Sequence, residues 1–122
     1  MNLPGNGIRA LRLYHYPATR SARVKWILHE TVADGFETVA TDLYAGVQYS
    51  DAFITKNPNH NVPVLDIEFI DGRHMTMLES AAMVAFLADA YPEQKLAPAP
   101  GPSRDRADYL RMLQCGAVTM DM

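Results

Sequence analysis

Apolar positions along the chain recur with two different periods, and their succession predicts a βαβαββα order. Leu11, Leu13 and Tyr14 suit a short strand, which the Pro17 region breaks. Val24, Ile27, Leu28 and Thr31 follow at the spacing of one helix face, with Gly35 as a stop. Residues 36–43 alternate through Phe36, Thr38, Val39 and Thr41 and read as a second strand. Residues 44–55 carry a weaker pattern, a short helix opened by Ser50 or Asp51. The turn-forming string Asn57-Pro58-Asn59-His60-Asn61 then precedes a strand over residues 62–70, marked by Val64, Leu65, Ile67 and Phe69. Asp71-Gly72 between two strand-like runs predicts a hairpin, so residues 73–78 return antiparallel. Ala82, Met83, Phe86, Leu87, Ala90 and Tyr91 recur at helical spacing from about Ser80 until Pro92 ends the run.

The remaining segments bound this unit. Residues 1–10 hold Pro4, Gly5 and Gly7 and read as a flexible leader, so the folded domain is expected over residues 11–91. Residues 92–102 contain prolines 92, 98, 100 and 102, four of the chain's eight, which is a linker composition. Ser103 can cap a last helix over residues 103–122, carrying Ala107, Leu110, Met112, Leu113, Cys115 and Met120, with no second helix after it to pack against. The expectation is one domain followed by the first helix of a truncated helical one.

Composition narrows the function. The 122 residues carry 11 Lys plus Arg against 14 Asp plus Glu, a net charge of -3 that argues against a nucleic-acid reader. With 48% apolar and 20% charged residues the chain should fold. A single cysteine, Cys115, excludes an internal disulfide, a Cys-x-x-Cys redox pair and a thiolate zinc site. The four histidines, His15, His29, His60 and His74, lack the spacing of a metal pair, so no metal site is expected. Residues 1–7 do not read as a signal peptide and no run reaches the length of a membrane span, so a cytoplasmic setting with no membrane partner is the default.

Four strings of residues, taken in order, resemble one family. Leu13-Tyr14-His15-Tyr16-Pro17 with Ser21-Ala22-Arg23-Val24, then Asn57 through Leu65, then Leu78-Glu79-Ser80-Ala81-Ala82-Met83, then Tyr91-Pro92, are similar to the N-terminal domain of glutathione S-transferases, most closely the serine-type and bacterial classes. The resemblance covers roughly residues 10–97. It implies a thioredoxin-like α/β fold, a mixed four-stranded sheet, and reduced glutathione as co-substrate. It also implies attack of the activated thiol on an electrophilic small molecule in detoxification, and a homodimer in a full-length form.

Glutathione carries a carboxylate and an ammonium at its γ-glutamyl end, an extended backbone and a thiol. Ser80 and the helix N-terminus can donate to the carboxylate while Glu79 faces the ammonium. From those two residues alone, a capping serine and a dipole-favouring glutamate would serve as well. Val62-Pro63 at a strand entrance leaves backbone groups open to an extended ligand, and in the resembled family this proline is cis and the residue before it bonds the cysteinyl unit. For the glycyl carboxylate the resemblance points to Gln48 and Asn61, uncharged donors that imply modest affinity, with His60 one residue earlier.

The thiol needs a donor near a helix N-terminus to ionise at neutral pH. By the resemblance the serine-type position is Thr19, the cysteine-type position Arg20 and the tyrosine-type position His15, so none holds its usual residue. Thr19 ranks first, Arg20 and Ser21 follow, and Tyr16 is a further hydroxyl. A non-catalytic interaction module of the same fold is the alternative, and the missing cysteine at the start of the first helix excludes a thioredoxin or glutaredoxin. By the resemblance, the electrophile pocket belongs largely to the helical domain, so the 122-residue chain is expected to bind glutathione weakly and conjugate poorly.

Overall fold

In the computed structural model of the protein, which describes residues 7–119, the first apolar run becomes β1, Ile8–His15. It starts earlier than the strand expected from residue 11, because Ile8 is buried and pairs with Phe69, and the Gly7 carbonyl accepts from the Ile70 N–H at 2.8 Å. Residues 8–10 are therefore strand rather than leader, and residues 1–6 lie outside the described ones. Helix α1 follows at Ser21–Val32 and β2 at Glu37–Ala40, shorter than the expected 36–43. A tight turn at Val47–Tyr49 leads to α2, Asp51–Lys56, capped by the Ser50 hydroxyl, which accepts from the Phe53 N–H at 3.3 Å.

The hairpin is present as β3, Val64–Phe69, and β4, His74–Met77, and α3 spans Ser80–Ala90. A short turn at Pro92–Gln94 opens the proline-rich stretch, and α4, Arg104–Gln114, is capped by Ser103, whose hydroxyl accepts from the Arg106 N–H at 3.1 Å. Its last turn widens into a π-helical segment, Cys115–Thr119; the expected helix residue Met120 lies outside the described residues.

The strands form one mixed sheet in the order β2-β1-β3-β4, with β1 and β2 parallel and the other two pairs antiparallel. Alternation in the two central strands divides the apolar residues between the sheet's faces. Leu11 and Leu13 of β1 with Leu65 and Ile67 of β3 meet Val24 and Leu28 of α1 and Met83 and Leu87 of α3 in the main core. Tyr14 and Val64, on the opposite face, meet Phe53 of α2 in a second, smaller cluster. Alongside it the Lys56 ammonium reaches Asp66 of β3 at 3.2 Å and lies 5.2 Å from the centre of the Tyr14 ring, holding α2 on that face.

A charged contact ties helix α4 to α3 and to the proline-rich stretch. The Arg106 guanidinium holds both Asp89 carboxylate oxygens at 3.1 Å and donates to the Pro98 carbonyl at 2.8 Å. Leu110 and Met112 remain exposed. Among the described residues no helix is long and apolar enough to cross a membrane.

Candidate glutathione site

The sheet register brings three chain breaks to one edge. Tyr14 pairs with Val64, Leu65 with Met77 and His15 with Ala40, so β1, β2 and β4 end where β3 begins. The loops leading into α1 and α3, and the Asn57–Pro63 loop, therefore share that edge. The smaller apolar cluster underpins it: Phe53, Val62 and Val64 are packed by Tyr14, Tyr16, Leu43 and Leu78, one or more residues from each adjoining segment.

At the start of α1, the loop turns through Ala18 at φ 63° and Arg20 occupies the N-cap position without a side-chain cap. The Thr19 hydroxyl donates to the Tyr16 carbonyl at 2.7 Å and sits 2.7 Å from the Ser21 hydroxyl. Ser21, fully buried, also accepts from the Tyr16 N–H at 3.1 Å and lies 2.7 Å from His15 Nδ1. Burial, with Lys25 nearby, lowers the His15 pKa and keeps the ring neutral. Burial, with Tyr44 and Asp42 beside it, raises the Tyr16 phenol further from ionisation. Of the expected thiol partners, Thr19 and exposed Arg20 line a cleft of about 540 Å³ with Ala18, Arg23 and Trp26, whereas Ser21 faces inward beneath them.

The middle loop is organised by a buried asparagine. Asn57 Nδ2 donates to the Asn61 carbonyl at 3.0 Å and to Asn61 Oδ1 at 2.8 Å, while Asn57 Oδ1 accepts from the Asn59 N–H at 2.9 Å. This closed turn delivers Val62-Pro63, whose peptide bond is cis, to the head of β3. The turn was legible as a cluster of turn-forming residues, but Asn57 as its pin was not, because asparagine is also the ordinary choice for a solvated turn. Asn61 keeps its Nδ2 as a donor on an exposed residue. His60, at φ 45°, stacks obliquely on Tyr49 with ring centres 5.2 Å apart.

Gln48 is placed differently from a carboxylate donor. Its Nε2 donates to the Leu43 carbonyl at 3.3 Å, and its Oε1 is buried without a partner among the described residues. One of the two amide hydrogens expected for the glycyl carboxylate is thus directed to the Leu43 carbonyl.

At the start of α3, Glu79 holds φ 75° and ψ 108°, a backbone conformation that L-residues rarely adopt, and makes no side-chain cap. Ser80 is the first helical residue and its hydroxyl is not the helix's cap, so the simple capping account does not describe it. The first-turn amides of α3 therefore receive no side-chain cap from Glu79, the residue in the N-cap position.

A family model described as the glutathione S-transferase N-terminal domain matches residues 13–95. The chain belongs to the glutathione S-transferase family. Solved transferases of the family superpose on it: a sphingomonad enzyme complexed with glutathione is 34% identical, with a TM-score of 0.70 over 88% of this chain and 51% of its own. The bacterial transferase BphK is 31% identical at a TM-score of 0.70, with the same shares of the two chains. A glutathione transferase of Phanerochaete chrysosporium, solved with oxidized glutathione, is 27% identical at a TM-score of 0.79 over 92% of this chain and 50% of its own. The chain thus spans about half the length of these solved relatives. A comparison with curated protein sequences gives no match. The thioredoxin-like mixed sheet expected from the sequence is the fold of this family.

Proposed function

We propose that this chain binds reduced glutathione along the shared sheet edge and, within a full-length transferase, presents its thiolate to electrophilic small molecules. The observation that carries the reading is the start of α3, where a strained Glu79 precedes an uncapped helix beginning with Ser80. Open amides and a hydroxyl there suit the γ-glutamyl carboxylate, and the exposed Glu79 carboxylate suits its ammonium. Val62, ahead of the cis Pro63, would pair its backbone with the cysteinyl unit as an added strand does. Asn61 supplies the donor for the glycyl carboxylate, with Gln48 secondary because one of its two Nε2 hydrogens is given to the Leu43 carbonyl. Thr19 is the hydroxyl for the sulfur, with Arg20 adding positive charge at the same helix start.

For the whole protein, family membership supports an electrophilic small-molecule co-substrate, a homodimer and a cytoplasmic, detoxifying role. A second reading, a non-catalytic interaction module, is favoured by the hydroxyls at α1, which are turned onto one another and onto Tyr16. Calorimetric titration with reduced glutathione, beside Ser80→Ala, tests the first. Saturable binding that the substitution weakens supports it; no heat from a folded parent chain overturns it and leaves the module.

A further inference from the structure

The three shortest side-chain contacts at the start of α1 decide where their protons lie. His15 Nδ1 to Ser21 Oγ, Ser21 Oγ to Thr19 Oγ1, and Thr19 Oγ1 to the Tyr16 carbonyl are each 2.7 Å. Each contact needs a hydrogen between its heavy atoms, yet Ser21 and Thr19 supply only one apiece. The third must come from the imidazole, which makes His15 the Nδ1–H tautomer. With that proton in place the direction of the whole chain follows. His15 Nδ1–H and the Tyr16 N–H at 3.1 Å fill both lone pairs of Ser21, whose own proton then goes to Thr19 at 2.7 Å rather than to the Tyr16 carbonyl, the longer contact at 3.1 Å. Thr19 Oγ1, also accepting from the Ser21 N–H at 3.3 Å, has its proton left for the Tyr16 carbonyl.

We propose that His15 is a positioning residue: through Ser21 it orients the Thr19 hydroxyl so that its proton is the one able to turn outward onto a thiolate. The proposal rests on the reading that Thr19 meets the sulfur. Thr19 is partly exposed and lines an open cleft beside Arg20 and Arg23, while Ser21 is fully buried, so of these two hydroxyls Thr19 is the one open to the surface. On arrival of glutathione the Thr19 O–H exchanges the Tyr16 carbonyl for the sulfur. The thiol proton leaves to water, and none is transferred within the chain. Successive hydrogen bonds aligned donor to acceptor polarise one another, so the donation from His15 strengthens the final bond at Thr19. The neutral ring that burial and Lys25 favour is compatible with this tautomer, and Arg20 and Arg23, at the start of α1 beside the cleft, add positive charge there.

The test does not need glutathione. Thr19→Cys in a Cys115→Ser background puts a thiol where the hydroxyl stands, and its ionisation is followed by thiolate absorbance and alkylation rate against pH. The expected thiol titrates about one unit below the ordinary value near 8.5. It should return upward when Ser21→Ala or His15→Ala is added, and stay low with His15→Asn, whose amide N–H stands in for Nδ1–H. Equal thiol pKa values in all four proteins overturn the proposal. Should the alanine variants not fold, long-range proton–nitrogen spectra of the parent chain decide it: Nδ1 protonated and Nε2 bare is expected, and the Nε2–H tautomer overturns it. Because neither readout involves glutathione, failure here is separable from a failed glutathione titration.

Discussion

Two helices begin at the same edge of the sheet, each with serine as its first residue, and the two serines live in opposite chemical situations. Ser21 of α1 is fully buried and touches His15, Tyr16 and Thr19, so its hydroxyl is saturated from within. Ser80 of α3, also buried, has no such ring of partners among the described residues, and the residue before it is held at φ 75°. Arg20 precedes one helix and Glu79 the other, so the two starts also carry opposite charge. A shared topological position therefore yields two different tools: a hydrogen-bond chain with one movable proton at α1, and an open, uncapped anion seat at α3.

The contrast is broken most strongly at Ser21. Ser21→Ala leaves the Tyr16 N–H and the His15 ring without their acceptor in a buried place, which should cost about 3 kcal/mol and be read as a lower denaturant midpoint with an unchanged slope. At Ser80 the same substitution should separate binding from stability. Ser80→Ala should leave folding within about 0.5 kcal/mol while weakening glutathione about tenfold by calorimetry. If Ser80→Ala instead unfolds the chain as readily as Ser21→Ala, the two starts are not different in kind.

A smaller effect of opposite sign is expected one residue earlier. Glu79→Gly relieves the positive φ and should stabilise the fold by about 1 kcal/mol, yet remove the partner of the γ-glutamyl ammonium and so weaken binding. Stability gained with binding retained would sink the role given to Glu79. The least effect is a pH slope. The folded-state pKa of His15 is lowered by burial and then by Lys25, so the unfolded chain binds more protons there and this contribution to stability rises with pH. It is fully present above the ordinary histidine value of about 6.5 and is lost as pH falls through the folded pKa. His15→Asn should flatten that part of the stability profile below about pH 6.5.

Much of the scaffold was legible before any coordinates. Val24 and Leu28 at helical spacing, Leu65 and Ile67 in alternation, and Asp71-Gly72 between strands each depend on neighbours close in sequence, where periodicity and turn chemistry act. The start of β1 was not legible, because Ile8 is strand only by pairing with Phe69, sixty-one residues away. The shortened β2 has the same origin: Thr41 leaves the ladder while its N–H still reaches the His15 carbonyl at 3.0 Å.

At the candidate site the division is sharper. Residue type and order alone brought forward Glu79, Ser80, Val62, Pro63 and Thr19, because family strings preserve which groups are near one another along the chain. Which of those groups has a hydrogen bond to spare is a property of three-dimensional proximity. Only the tertiary structure turned Gln48 Nε2 toward Leu43, buried Ser21 under Thr19, made Asn57 the pin of its loop and set His15 against Ser21. A hydroxyl's chemistry is decided by the donors and acceptors within 3 Å of it, and folding, not adjacency, chooses them.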